Sequence, residues 1–158
     1  MAIKVSRLEP GDKSPTFSLA NQDNSSVTSK ELLTTPTIFF FFPAAGSPGC
    51  TKEAVDFQDY LEDFAAQGYQ VVGISPDSVS RLKEFSLSHD LSFQLLSDPD
   101  LAAHRSFGAF GEKNLYGRVY TGVLRSTIVT DENGKINQAL YNVKATGHTN
   151  MLKKRLGI

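Results

Sequence analysis

Thr37-Ile38-Phe39-Phe40-Phe41-Phe42 runs without a charge and without the apolar–polar alternation of a half-wetted strand. A strand of that kind is buried on both faces, as the central strand of a helix-covered parallel sheet is. The phenylalanines therefore read as core and not as a stacking platform, and the rest of the chain has to cover them. The run stops at Pro43, crosses Ala44-Ala45-Gly46 and enters what reads as the first turn of a helix. Ser47 suits the N-cap and Pro48 the first helical position, where a missing N–H costs nothing. Cys50, the only cysteine, follows among backbone N–H groups with no intrahelical partner, at the positive end of the helix dipole. A thiolate is stabilised there and a neutral thiol gains little. A lone cysteine also serves as a small buried hydrophobe, and position alone leaves both uses open. Ligands of open α/β sheets bind beyond the carboxyl ends of the strands, which is where Cys50 falls, and this favours the reactive use.

Before the central strand, Pro10-Gly11-Asp12 reads as a turn, Thr16 to Ala20 as a short strand, Asn21 to Ser26 as a polar turn and Val27 to Leu33 as ending in a short helix. After it, Cys50, Ala54, Phe57, Leu61, Phe64 and Ala65 form one helical stripe that Gly68 ends. Tyr69 to Ser75 is a second buried strand, Val79 to His89 a helix, and Phe93 to Leu96 a short strand. Asp98 is expected to cap a helix with Pro99 at its first position, running to Phe107. Strands alternating with helices imply a parallel sheet with crossover helices. Gly108 to Gly122 shows no periodicity and reads as a long loop, with the role of Arg118 open. Val123 to Thr130 and Lys135 to Val143 are strands joined by the turn Asp131-Glu132-Asn133-Gly134, and His148 to Leu156 is a terminal helix. The expected class is α/β: a thioredoxin-like fold with a central mixed sheet flanked by helices and an N-terminal strand extension. Residues 1–158 read as a single domain.

Composition narrows the function. With 40% hydrophobic and 21% charged residues the chain is an ordinary globular one, and its net charge of −1 provides no pull towards nucleic acid or an acidic membrane. One cysteine excludes an internal disulfide and a Cys-rich metal site. Met1 to Pro10 carries Lys4, Arg7 and Glu9 and does not read as a signal peptide, while Ile38 to Phe42 is too short to span a bilayer. The expectation is a cytoplasmic protein.

Arg125 interrupts the apolar strand Val123 to Val129. Either that sheet face meets solvent, or a guanidinium, always charged and with donors in a fixed plane, is aimed at the thiolate or a bound oxyanion. Glu53, in the first turn after Cys50, either holds that arginine or is simply an acid placed favourably near a helix N-terminus. His89, His104 and His148 lack metal-ligand spacing, though a Cys–His pair need not be close in sequence. Gly46 and Gly49 lack the Gly-Lys-Ser/Thr ending of a phosphate loop. No metal or cofactor is called for.

Pro43-Ala44-Ala45-Gly46-Ser47-Pro48-Gly49-Cys50 resembles the peroxiredoxin motif Pro-x-x-x-Thr/Ser-x-x-Cys in its serine form. Extended through Thr51-Lys52-Glu53-Ala54, it is similar to the Q-type peroxiredoxins, or bacterioferritin comigratory proteins. Further matches lie at Val72-Gly73-Ile74-Ser75, Leu96-Ser97-Asp98 and Tyr116-Gly117 through Arg125-Ser126-Thr127, in order from Gly11-Asp12-Lys13-Ser14-Pro15 to Gly147-His148. The resemblance implies a thiol-dependent peroxidase acting on hydrogen peroxide and organic hydroperoxides. In it Cys50 attacks the peroxide and becomes a sulfenic acid, Pro43 shields it, and Ser47 holds the peroxide. Arg125 keeps the thiolate charged and stabilises the stretching O–O bond, and Glu53 positions Arg125. Many Q-type members carry a resolving cysteine five residues on, where Val55 stands here, or in the following helix, where Val79 to His89 has none. The implied mechanism is one-Cys. The partners would be a small thiol of the glutathione or mycothiol type, a thioredoxin- or glutaredoxin-like protein, or both. The resemblance also implies a monomer or weak dimer. The competing readings are a redox sensor or thiol relay using Cys50 stoichiometrically, and a cysteine hydrolase or transferase.

Overall fold

The computed structural model describes residues 7–115 and 117–158; Lys4 and Tyr116, both used above, lie outside them. Thr37–Phe41 forms a strand, β3, in which every residue is buried. It becomes β3 once Ser18–Asn21 and Ser26–Thr28 are counted as β1 and β2. To one side it pairs in parallel with β4 (Gln70–Ser75), which pairs in parallel with β5 (Gln94–Ser97). To the other it pairs antiparallel with β8 (Ser126–Thr130), which turns through Gly134 into β9 (Ile136–Leu140). With β1 antiparallel to β5, the order of this mixed sheet is β2-β1-β5-β4-β3-β8-β9.

Two cores, one on each face, explain why the phenylalanine run lacks alternation. Phe40 and Phe42 point into the core shared with α2 (Pro48–Asp59), α3 (Leu61–Ala66), α4 (Val79–Ser88) and α6 (His148–Leu156). Phe39 and Phe41 point into the other, with Phe107, Ile128 and Leu32 of α1 (Ser29–Leu32). The Phe40 ring lies 4.6 Å from that of Phe57 and 5.3 Å from that of Phe42.

Several boundaries differ from expectation. The stripe from Cys50 is two helices, because Tyr60, at φ −103° and ψ 10°, breaks it, and Phe64 packs back beside Phe57 at 6.0 Å. The helix expected from Pro99 starts at Ala102 (α5, Ala102–Ser106), after Leu101 in the left-handed region at φ 64°. Asp98 still caps it, from a turn further back, by accepting from the backbone N–H groups of Ala103 and His104. The stretch Gly108 to Gly122 is no loop. It is a hairpin of β6 (Phe110–Leu115) and β7 (Arg118–Val123), turning at Gly117 with φ 78°. Most of β7 is exposed, so no buried face imprinted an apolar period on it. Val123 belongs to that hairpin, and Arg125 precedes β8 instead of lying inside a strand. The first strand, expected over Thr16 to Ala20, begins two residues later at Ser18.

Gly73 on β4 sits between Phe40 of β3 and Leu95 of β5. A Cβ there would lie 2.8 Å from both Phe40 Cζ and Leu95 Cδ2. Overpacking of this kind costs about 1–3 kcal/mol. Gly73→Ala should lower the urea midpoint by a corresponding amount with an unchanged slope; an unaltered midpoint would show that the stacked rings can yield.

Candidate active site

Three elements converge at the carboxyl end of β3. The first is the chain after Phe42, which bends at half-buried Pro43 and enters α2. Ser47 caps α2 in extended geometry: its Oγ accepts from Cys50 N–H (3.4 Å) and donates to Ala44 O (3.0 Å). Cys50 is fully buried in the first turn, and Glu53, three residues on and equally buried, shares its side of the helix. The second is the antiparallel register of β3 and β8. Ser126 pairs with Phe41, so Arg125 arrives beside the end of β3, where Val143 N–H bonds its carbonyl at 2.8 Å. The third is the loop after β4. The Asp77 carboxylate accepts from Ala45 N–H at 2.6 Å, and Arg81 donates to Ala45 O at 3.2 Å, clamping the loop before Cys50.

The side chains meet through one guanidinium. Arg125 Nη1 donates to Glu53 Oε1 at 2.8 Å and Nη2 to Cys50 Sγ at 3.3 Å. Gly49 makes room for this fork, since a Cβ there would lie 3.3 Å from Arg125 Nη2. Burial opposes the Arg125 charge, but Glu53 and the Cys50 thiolate outweigh it and the guanidinium holds its proton more tightly than usual. Glu53 Oε2 has no partner among the described residues, and burial pushes this carboxyl up to about 7 despite Arg125. The sequence-predicted Cys50, Glu53 and Arg125 are thus in direct contact, with Ser47 bonded to the Cys50 backbone and Pro43 at the bend before it.

Lys113 was not anticipated. It sits half-buried on β6; burial and Arg125 pull its ammonium below the usual lysine range, while a Cys50 thiolate pulls the other way. No local pattern marks such a residue, because hairpin and helix meet only in the fold. The histidines stay apart from the thiol. His104 pairs with Asp98 beneath Phe41. His89 lies against Phe85. His148 is buried on Thr127 Oγ1 at 2.7 Å and is held neutral, near 4, first by burial and then by Arg125. Arg118 is exposed on β7.

The chain matches known proteins along nearly its whole length. The AhpC/TSA family model matches residues 10–139. The chain belongs to the peroxiredoxins of the AhpC/TSA family. A relative from Mycobacterium tuberculosis named as a peroxiredoxin is 49% identical over 155 residues, 98% of this chain and 99% of that one. Peroxiredoxin Bcp of Escherichia coli K12 is 35% identical over 141 residues, 89% and 90% of the two chains. Among solved structures, the bacterioferritin comigratory protein of Xanthomonas campestris superposes with a TM-score of 0.84 at 30% identity, covering 98% of each chain. A peroxiredoxin Q variant of Xylella fastidiosa does so at 0.88 and 26% identity, covering 96% and 97%. This peroxiredoxin is therefore of the Q type, with the thioredoxin fold and thiol-dependent peroxidase activity of the family, and its single cysteine leaves it without a resolving partner in the chain. No helix among the described residues is long and apolar enough to cross a membrane.

Glu53 yields a pH test. Its carboxyl is raised from 4.5 to about 7 in the fold, so the folded chain binds this proton more tightly than the unfolded one. That contribution to stability is complete below pH 4.5 and is lost as the pH rises through 7, by up to about 3 kcal/mol. Urea unfolding at pH 5 and pH 8 should show the wild type losing more stability across the interval than Glu53→Gln. Parallel losses would mean that the carboxylate is fully compensated by Arg125.

Proposed function

We propose that this peroxiredoxin reduces hydrogen peroxide and organic hydroperoxides by a one-Cys mechanism centred on Cys50. The observation that carries the reading is the Arg125 fork, with Nη1 on Glu53 and Nη2 on Cys50 Sγ. The thiolate attacks the terminal oxygen of ROOH; the S–O bond forms as the O–O bond breaks, leaving Cys50 sulfenic acid and an alkoxide that takes a proton to become ROH. Full ionisation of an ordinary thiol at neutral pH gains only about thirtyfold. The larger acceleration comes from donors that bind the transition state more tightly than the ground state. Arg125 is the fixed donor, oriented by Glu53, and Ser47 exchanges its bond to Ala44 O for the peroxide. Pro43 limits water at the thiolate.

With one cysteine in the chain, reduction falls to another molecule. A thiol of the glutathione or mycothiol class condenses with the sulfenic acid, releasing water and leaving a mixed disulfide. A second thiol, or a thioredoxin- or glutaredoxin-like protein, then restores Cys50. The protein acts as one domain over residues 1–158, in the cytoplasm, as a monomer or weak dimer.

The test is a single-turnover reaction of the reduced protein with hydrogen peroxide, followed by intact mass and by addition of small thiols. Cys50 should gain one oxygen rapidly, and the adduct should pass through a mixed disulfide. Arg125→Ala should slow the first step by about 10²–10³-fold. Arg125→Lys, which keeps the charge and loses the fork, should also be slowed. Oxidation no faster than that of a free thiol would sink the peroxidase reading and leave a stoichiometric redox sensor.

A further inference from the structure

We propose that His148 is a positioning residue for the reaction at Cys50: its bond to Thr127 pins residues 143–148, the segment that holds the Arg125 backbone and lies against the first turn of α2. The proposal rests on the peroxidase reading of Cys50 and adds to it a group that never touches the peroxide.

Residues 143–148 lead from β9 into α6 and are fastened at both ends beside the arginine fork. At one end Val143 N–H donates to the Arg125 carbonyl at 2.8 Å. At the other, His148 Nε2 lies 2.7 Å from the hydroxyl of Thr127, two residues after Arg125. Thr127 pairs with Phe40, whose ring belongs to the core that contains Cys50, so its side chain faces the same layer. Between the two ends Ala145 walls in Gly49: a Cβ on that glycine would lie 3.7 Å from Ala145 Cβ and 3.3 Å from Arg125 Nη2. The imidazole also meets Phe57 edge-on, with ring centroids 6.3 Å apart, one helical turn beyond Glu53. His148 thus touches the strand that follows Arg125 and the helix that carries Glu53 and Cys50.

Stability does not account for a histidine here. The ring is buried, its Nδ1 has no partner among the described residues, and Phe57 beside it is apolar. Burying a polar pair costs desolvation that an apolar pair of similar shape avoids. The imidazole is held neutral, near 4, first by burial and then by Arg125 and Arg155, so at neutral pH it contributes a directed bond and no charge. Direction is what apolar packing lacks, because burial of apolar surface is indifferent to small slides. A slide of residues 143–148 would carry the Arg125 carbonyl with it and move Nη2 away from the breaking O–O bond.

Thr127→Val combined with His148→Leu removes both polar groups and leaves an apolar pair, so this double variant should keep a urea midpoint close to that of the wild type. Its Cys50 should nonetheless react with hydrogen peroxide about 10–100-fold more slowly in single turnover. His148→Gln, whose amide stands near the place of Nε2, should recover most of that rate with Thr127 present and none of it in the Thr127→Val background. Alkylation of Cys50 by iodoacetamide reads access to the thiol with no O–O bond to break, and it should not rise in any of these variants. An unchanged peroxide rate in the double variant would overturn the proposal, as would a glutamine that recovers nothing beside Thr127. A large fall in the urea midpoint, or faster alkylation alongside slower oxidation, would also overturn it and leave the pair a structural staple. A wild type that oxidises no faster than a free thiol would instead refute the peroxidase reading itself.

Discussion

A buried carboxyl group, one of whose oxygens has no partner among the described residues, governs the arrangement of this site. Glu53 cannot be charged at the base of α2 without a cation, and Arg125 is the cation the fold brings to it. Arg125 is consequently fixed before Cys50 is considered, because its Nη1 is committed to Glu53 and the planarity of the guanidinium then aims Nη2 at Sγ. The helical spacing of Cys50 and Glu53, the missing side chain at Gly49 and the register that sets Ser126 against Phe41 all serve this one geometry. A donor held in this way needs no rearrangement when charge develops on a breaking O–O bond.

Much of this was legible in the chain because the signals are local. Ser47-Pro48 marked the helix start, the unpatterned phenylalanine run marked a strand wet on neither face, and His148 to Leu156 is the terminal helix observed. Arg125 stood out as a charge in an apolar setting, even though it lies ahead of β8 and not within it. What the sequence left dark is what depends on distant partners. The Asp77 carboxylate, for example, accepts from the Ala45 N–H of a loop that lies 32 residues earlier in the chain. The hairpin carrying Lys113 showed no period because neither of its faces enters a core cluster along most of its length. Likewise the break at Tyr60 follows no Gly or Pro, and Leu101 adopts a conformation that its side chain disfavours.

The surroundings of Cys50 divide into a rigid part and a more open part. Asp77, Arg81 and the Ser47 cap fix the backbone on which the thiol is carried. Among the described residues the hairpin pairs as a separate two-stranded sheet, and Val119 and Tyr120 are exposed on it. The thiol is thus carried on the firmly bonded half.

The two cores on either side of β3 carry one last implication. Phe40 and Phe42 share their core with Cys50, whereas Phe39 and Phe41 belong to a core that contains none of the residues around the thiol. Close packing transmits strain to immediate neighbours, and the sheet stands between the two sets of neighbours. A change of volume at Phe39, Phe107 or Ile128 therefore acts first on the core that excludes Cys50 and reaches the thiol only through the sheet, so durability and reactivity are read from alternate residues of one strand.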